Sequence, residues 1–263
     1  MLHTFFQLLP VVALALLAYI SCWFIVAQII NRNDVADVAW GTGFVVAALA
    51  SLLYVHHYTA TVLLINTLVV IWGLRLSFHI AVRNSKKSED YRYKAWRDSW
   101  GKWFRIRSFF QVFLFQGFLI GIVVTPVILV NSQAPIGLPG LTIVGAAVWL
   151  FGFIFESISD AQLQTFMRNP ANKGHLMMSG LWRYSRHPNY FGELTQWWGI
   201  GLIALSCSYG WVGLIGPAVL SLLIIKISGI PLLEKKYATK PEYETYKQQT
   251  SVLIPLPNRP TRS

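Results

Sequence analysis

Length, composition and charge decide the broad class of this 263-residue chain. Hydrophobic residues make up 54% of it and charged residues 13%, about half of what a soluble domain carries, which excludes a soluble globule and a disordered chain. Lys and Arg number 22 against 11 Asp and Glu, but long uncharged apolar runs are typical of a bilayer protein and not of a nucleic-acid-binding one.

The chain contains seven apolar runs that are long enough to cross a bilayer, since a transmembrane helix needs about 20 residues. The first run is too long for a signal-peptide core and is followed by no clear cleavage site, so we predict that it is retained. The predicted fold is an all-α integral membrane protein with seven transmembrane helices. In chain order they cover residues 5–30, 37–55, 58–80, 109–130, 138–158, 190–207 and 211–230.

The connections between these helices alternate in charge. Three of them, 56–57, 131–139 and 208–210, contain no Lys or Arg, whereas the cations lie in or near the other connections and the tail. By the positive-inside rule, the N-terminus lies outside and the C-terminus in the cytoplasm. We therefore predict a multi-pass protein of the cell inner membrane whose site faces the cytoplasm.

We expect a single membrane domain over residues 1–263. Residues 1–107 hold the first three helices and a basic cytoplasmic loop, and residues 108–263 hold the last four helices and the tail. The sequence predicts no metal site, because Cys22 and Cys207 lie in apolar runs and are expected to pack there. It predicts no nucleic-acid partner, and no protein partner can be inferred from it. Membrane lipids are the expected surroundings.

The densest polar stretch precedes the sixth predicted helix. Pro188 suits the first turn of a helix, so free backbone amides and the positive end of the helix dipole point at the cations before it, as in a phosphate site. Asn189 and Glu193 are four residues apart and share a face. The Arg and aromatic residues of this stretch could instead anchor the helix at the membrane interface. Anchoring does not explain why Asn189 and Glu193 share a face. The other candidates here are Arg183, Arg186, His187 and Tyr190.

Two acids lie near the cytoplasmic end of the fifth predicted helix. Glu156 and Asp160 are four residues apart where the helix dipole disfavours carboxylates, so they need partners, either nearby cations or the ribose and amide groups of a ligand. Together with the sixth helix they predict a pocket for a ligand with several phosphates and sugar hydroxyls. Neither a P-loop nor a glycine-rich dinucleotide turn is present. Candidates in the following loop are Arg168, Lys173 and His175.

The string GLWRYSRHPNYFGE at residues 180–193 resembles the C-terminal signature of the bacterial DUF1295 branch of the steroid 5-alpha-reductase superfamily. Supporting matches extend over nearly the whole chain. They are DVAWG at 37–41, WGLRL at 72–76, EDYRY at 89–93, and the tail residues Glu234, Tyr243, Tyr246, Ile254 and Pro255. The isoprenylcysteine carboxyl methyltransferases, which are related, share the Arg-His-Pro-x-Tyr-x-Gly segment.

The resemblance implies a seven-helix reductase that binds NADPH from the cytosol and transfers hydride to a C=C bond of a lipid-like substrate of the steroid or isoprenoid type. The family's cofactor positions carry over onto Asp160, Asn189 and Glu193. His175 stands where the steroid enzymes have an arginine, with Arg168 and Lys173 close by in sequence. The residues that match the bacterial branch's own motif are Arg183, Arg186, His187 and Tyr190.

Two departures from the steroid enzymes concern the proton donor. Their His-Tyr-x-x-Arg motif corresponds here to residues 79–83 and begins at His79. Ile80 replaces the tyrosine that polarises the substrate carbonyl. Their second-helix glutamate also has no counterpart. A different group must then stabilise the enolate, and the candidate catalytic residues are His79, Asp37 and Tyr54.

Two other functions stay open at this point. A methyltransferase would bind S-adenosylmethionine, which carries no phosphate, so the surplus of loop cations favours the dinucleotide. A noncatalytic lipid-binding protein would need neither the acids of the fifth helix nor the polar face of the sixth.

Overall fold

The computed structural model describes residues 2–85 and 87–258. Regular structure in this part of the chain is helical, and extended pairing is confined to one isolated bridge between Ser185 and Ser251. Six helical segments there are long and apolar enough to cross a membrane, which confirms the all-helical class and supports a multi-pass membrane protein. They are Leu2–Ile30, Val35–Val55, Ala60–Ser85, Tyr91–Val123, Gly140–Arg168 and Gly210–Tyr237.

We number the α-helices in chain order. They are α1 (Leu2–Ile30), α2 (Val35–Val55), α3 (Ala60–Ser85), α4 (Tyr91–Trp100), α5 (Phe104–Ser108), α6 (Phe115–Val123), α7 (Thr125–Gln133), α8 (Gly140–Arg168), α9 (Pro188–Ala204), α10 (Ile215–Leu222), α11 (Ile230–Tyr237) and α12 (Tyr243–Gln249). The π-helical turns Phe109–Leu114 and Leu223–Ile227 join α5 to α6 and continue α10, respectively.

The sixth predicted span corresponds to α9, which is shorter than the others. Its 17 residues rise by about 25 Å, against about 30 Å for the hydrocarbon core, so it is not among the six candidate spans. The count of seven spans therefore stays a prediction. So does the orientation of the termini, since the length and composition of the helices do not tell which side of the membrane is cytoplasmic.

The fourth predicted span has different bounds in the structure. The helical segment begins at Tyr91 and ends at Val123, and α7 begins a new helix with Pro126 in its first turn. Proline cannot donate to the carbonyl one turn earlier, and its ring crowds the preceding turn, so the helix breaks at Val124. The prediction of one uninterrupted helix over residues 109–130 is therefore wrong, because hydropathy does not register the N–H that proline lacks.

The chain divides into two compact units. The first consists of Met1–Ile143 and Leu202–Gly216, and the second of Val144–Gly201 and Pro217–Ser263. The prediction of one membrane domain with a division at residue 107 stays a prediction.

In the first unit, the backbones of α2 and α3 nearly touch. A Cβ on Gly41 would lie 2.5 Å from the Gly73 carbonyl oxygen, and one on Gly73 would lie 2.5 Å from that of Gly41. Ser77 Oγ accepts from the Thr42 N–H at 2.9 Å and donates to the Val38 carbonyl at 2.7 Å. Small and hydroxyl residues of this kind let membrane helices approach closely and bond to each other.

In the second unit, α8 and α9 pack through four glycines, which we call the glycine seam: Gly145, Gly152, Gly192 and Gly199. A Cβ on Gly152 would lie 2.6 Å from the Gly192 carbonyl oxygen, and one on Gly199 would lie 2.6 Å from that of Gly145. Residues seven apart lie on nearly the same side of a helix, so the two contacts form one line. The earlier glycine of α8 contacts the later glycine of α9, and the later one contacts the earlier one. The two helices are therefore antiparallel.

Replacing Gly152 by alanine is expected to destabilise the protein by about 1–3 kcal/mol, because overpacking forces the helices apart. The added methyl would lie 2.6 Å from the Gly192 carbonyl oxygen and 2.7 Å from the backbone nitrogen of Gln196. Thermal unfolding of the purified protein in detergent measures the effect. The matched control is Gly140→Ala in the same helix, where a Cβ meets nothing within 4 Å. Equal losses in the two variants would contradict the close contact.

Candidate functional site

The glycine seam brings polar side chains of α8 and α9 together. Gln196 Nε2 donates to the Glu156 carboxylate at 2.5 Å, and Asn189 Nδ2 donates to the Asp160 carboxylate at 3.3 Å. Glu193 lies about one helical turn from both Asn189 and Gln196, and it is 8% exposed. We call these five residues the polar seam. The structure therefore brings together the predicted cofactor residues of the fifth and sixth helices.

Three carboxylates are buried in the polar seam. Glu156 and Asp160 are 2% and 7% exposed, comparable with Glu193. Burying a carboxylate is costly unless it is hydrogen-bonded or paired, and acidic residues in membrane segments are functional candidates by default. An ionised carboxylate offers about four acceptor positions. Besides its amide donors, the polar seam can thus accept from hydroxyl and N–H groups of a ligand.

The predicted start of α9 at Pro188 is confirmed. Ser185 Oγ accepts from the His187 N–H at 3.1 Å, just before the helix, where backbone donors lack partners within the helix. The His187 ring stacks on Tyr190, with 5.7 Å between centroids and 18° between planes. The sequence motif therefore shapes the entry into α9 as well as its first turn.

The side chains of Arg186 and His187 are buried against the C-terminal part of the second unit. Arg186, 8% exposed, contacts Glu234 Oε1 at 2.7 Å through both Nε and Nη2. Its Nη1 donates to the carbonyls of Lys247 at 3.1 Å and Thr250 at 2.7 Å. His187, 1% exposed, places Nε2 at 3.4 Å from the same Glu234 oxygen. We call this arrangement of Arg186, His187 and Glu234 the clamp.

The segment around α12 bonds to the loop that precedes α9. The bonds, donor first, are Arg186 N–H to Ser251 O (2.8 Å), Ser185 Oγ to Leu253 O (2.7 Å), Leu256 N–H to Tyr184 O (3.0 Å) and Tyr246 Oη to Trp182 O (2.5 Å). On the other side, Trp182 Nε1 donates to the Ser159 carbonyl of α8 at 3.0 Å. The loop is therefore fixed to both α8 and the tail.

The other predicted cofactor residues lie at the surface of the second unit. They are Arg168, Lys173, His175 and Arg183. His175 Nδ1 lies 3.3 Å from Glu242, which also accepts the Leu176 N–H at 2.9 Å. That amide lowers the pKa of the Glu242 carboxyl. The cations of this region thus divide into one buried guanidinium, held by protein groups, and several exposed side chains.

The three candidate catalytic residues belong to the first unit. The Asp37 carboxylate accepts from Tyr93 Oη at 2.8 Å and from Arg92 Nη2 at 3.2 Å. Tyr54, 49% exposed, lies at the opposite end of α2, about 25 Å from Asp37 along the helix axis. His79 follows Ser77, which bonds to the first turns of α2, so His79 lies at the same end of the α2–α3 pair as Asp37. The structure therefore separates Tyr54 from the other two.

Sequence reasoning missed two important partners. Gln196 follows Asn189 by seven residues and Glu193 by three, so its spacing already placed it on their face. The sequence marks Glu234 as a tail residue but does not link it to Arg186, because no local pattern connects positions so far apart. Among the described residues, no group of three His, Cys, Asp or Glu is arranged to hold a metal ion.

Comparisons with known proteins show partial similarities. The chain is 37% identical over 68 residues to 3-oxo-5-alpha-steroid 4-dehydrogenase 1 of Bos taurus, covering 26% of each protein. It is 38% identical over 63 residues to the Mus musculus protein of the same name, covering 24% of each. An uncharacterized protein of Schizosaccharomyces pombe is 24% identical over 181 residues, or 57% of this chain and 52% of the relative.

The chain thus spans about a quarter of the length of the two dehydrogenases and about half of the yeast protein. No solved structure matches it significantly. A family model described as "Protein of unknown function (DUF1295)" matches residues 23–250, which is most of the chain. The protein therefore belongs to the DUF1295 family.

Proposed function

We propose that this protein is a membrane-embedded, NADPH-dependent reductase of the bacterial branch of the steroid 5-alpha-reductase superfamily. It reduces a C=C bond of a lipid-like substrate of the steroid or isoprenoid type, at a site that faces the cytoplasm from the inner membrane. One observation carries the proposal: the Asp160–Asn189 pair at the start of α9, within a row of buried carboxylates. The similarity to 3-oxo-5-alpha-steroid 4-dehydrogenases supports the reaction class.

The groups of the second unit fit this cofactor. Ribose hydroxyls and a carboxamide N–H need acceptors, which the carboxylates of Asp160 and Glu193 supply. Phosphates need cations and backbone N–H groups, which exposed Arg168, Lys173 and Arg183 and the start of α9 supply. NADPH, when bound, supplies the hydride, and the protein supplies binding, orientation and a proton.

The clamp has a positioning role in this proposal. The nitrogens of Arg186 are directed at Glu234 and at backbone carbonyls, so they hold the loop before α9 instead of a phosphate. His187, in contact with Glu234, stacks on Tyr190 and orients that ring on the first turn of α9. His175, held by Glu242, fixes the loop after α8.

For the proton, we propose His79. Asp37 accepts hydrogen bonds from Arg92 and Tyr93, so its carboxyl oxygens are already engaged with donors of the protein. Tyr54 lies at the other end of α2. An imidazole changes its charge near neutral pH, which suits it to general acid catalysis.

Replacing Asp160 by asparagine is expected to weaken NADPH binding about 10- to 150-fold, because a hydrogen bond to a charged group contributes about 1.5–3 kcal/mol. Titration calorimetry of the purified protein in detergent measures this. Glu244→Gln, which removes an exposed carboxylate of α12, is the control and should bind like the original protein.

The same titration separates the proposal from its alternatives. Binding of S-adenosylmethionine without binding of NADPH would favour a methyltransferase of the isoprenylcysteine carboxyl type. Binding of neither compound would favour a noncatalytic lipid-binding protein. In both cases the reductase proposal would be wrong.

Replacing Glu234 by glutamine is expected to weaken NADPH binding and to lower the thermal stability, because Arg186 then stays buried without its counter-charge. Glu234→Asp, which keeps the charge, should recover part of the affinity. Calorimetry below the unfolding temperature measures the affinity by itself. If stability falls while the affinity of the folded variant is unchanged, the clamp does not position the site.

A further inference from the structure

A charged stretch of the first unit, residues 91–108, leads into the apolar part of the fourth helical segment. We call it the interfacial segment. It consists of α4, the 3-10 turn Gly101–Trp103 and α5. It holds six Lys and Arg and a single acid, Asp98.

Two of the six cations point into the unit. Arg92 Nη2 donates to Asp37 at 3.2 Å, and its Nε donates to Asp90 at 2.9 Å. Arg97 Nη2 donates to Glu89 at 2.9 Å, and its guanidinium carbon lies 4.3 Å from the centroid of the Phe104 ring. These contacts attach one face of the interfacial segment to the first unit.

The other four cations are exposed on the outer face of the segment. They are Lys94, Lys102, Arg105 and Arg107. Large apolar side chains lie exposed among them: Trp96 is 38% exposed, Trp103 55% and Ile106 54%. Lys102 Nζ lies 5.9 Å from the centroid of the Trp103 ring, so cation and aromatic groups share this face. Tryptophan is enriched where a protein crosses the headgroup layer, and basic residues there attract anionic lipids.

Helix length places the interfacial segment outside the hydrocarbon core. The helical segment Tyr91–Val123 has 33 residues and would rise by about 50 Å if straight, whereas the core is about 30 Å thick. Residues 109–123 contain no Lys, Arg, Asp or Glu and therefore belong in the core, whereas the charged residues up to Arg107 are expected at the headgroup boundary. Gly101, with φ of +48°, ends α4 and lets the chain change direction before α5.

We propose that the outer face of the interfacial segment binds the phosphates of anionic lipid headgroups. Four cations against one acid give the charge complementarity, and the exposed Trp and Ile side chains fit the boundary between headgroups and acyl chains. A soluble polyanion would match the charge but would leave these apolar side chains in water. This surface shares no residue with the proposed cofactor site, since its residues all belong to the first unit.

The test compares binding of phosphatidylglycerol and phosphatidylcholine to the full chain in neutral detergent, counted by native mass spectrometry. The protein is expected to prefer phosphatidylglycerol. The variant Lys94→Gln, Lys102→Gln, Arg105→Gln, Arg107→Gln should lose that preference, by about fivefold for each cation removed. The control exchanges Lys and Arg at the same four positions, so that every charge remains, and should keep the preference.

Three results would overturn the proposal. The original protein would show no preference for phosphatidylglycerol, the glutamine variant would keep the full preference, or soluble glycerol phosphate would compete completely with the lipid. Salt dependence keeps the test decisive if the glutamine variant does not fold. The Debye length falls from about 10 Å at 0.1 M salt to about 3 Å at 1 M, so the preference of the original protein should fall with it. A preference that resists salt would contradict an exposed cationic surface.

Discussion

The close contact of α8 and α9 determines which side chains can meet in the second unit. Helices with ordinary side chains at their interface lie about 8–10 Å apart, whereas here a single Cβ at Gly152 would already overlap the backbone of α9. This separation is short enough for Gln196 to reach Glu156 directly and for Asn189 to reach Asp160. The glycines therefore act on the polar seam without carrying any chemistry of their own.

The Arg-His-Pro motif shows why a conspicuous cation need not contact a ligand. Arg186 has a planar fork of donors that contacts a carboxylate and two backbone carbonyls at once through all three of its nitrogens. Its burial would be costly without Glu234. Pro188 then begins the helix, so neighbouring residues of one short string fix the tail and the start of α9. Most of the motif thus serves to hold the few residues that face the polar seam.

The sequence predicted the helices well wherever an apolar run was uninterrupted, and it predicted the pairing of two polar faces on α8 and α9. It failed at Pro126, because hydropathy measures side chains and not backbone hydrogen bonds. It also missed the bond between Arg186 and Glu234, since a contact between distant parts of the chain leaves no local pattern. Gln196 is different: its spacing from Asn189 places it on the same face, but a neutral amide carries no charge that would mark it in the sequence.

The net charge of +11 has more than one structural basis. Pairing separates the cations: half-buried Arg92 and buried Arg186 each lie against a carboxylate of their own unit and stabilise its packing. Exposed cations such as Arg105 lie at the surface, where a charge attracts nearby anions. Composition alone cannot distinguish these classes, because it counts charges and not their partners. A basic chain in a membrane is therefore understood only when each buried guanidinium has been matched with its carboxylate, and the remaining cations are those available to lipids and ligands.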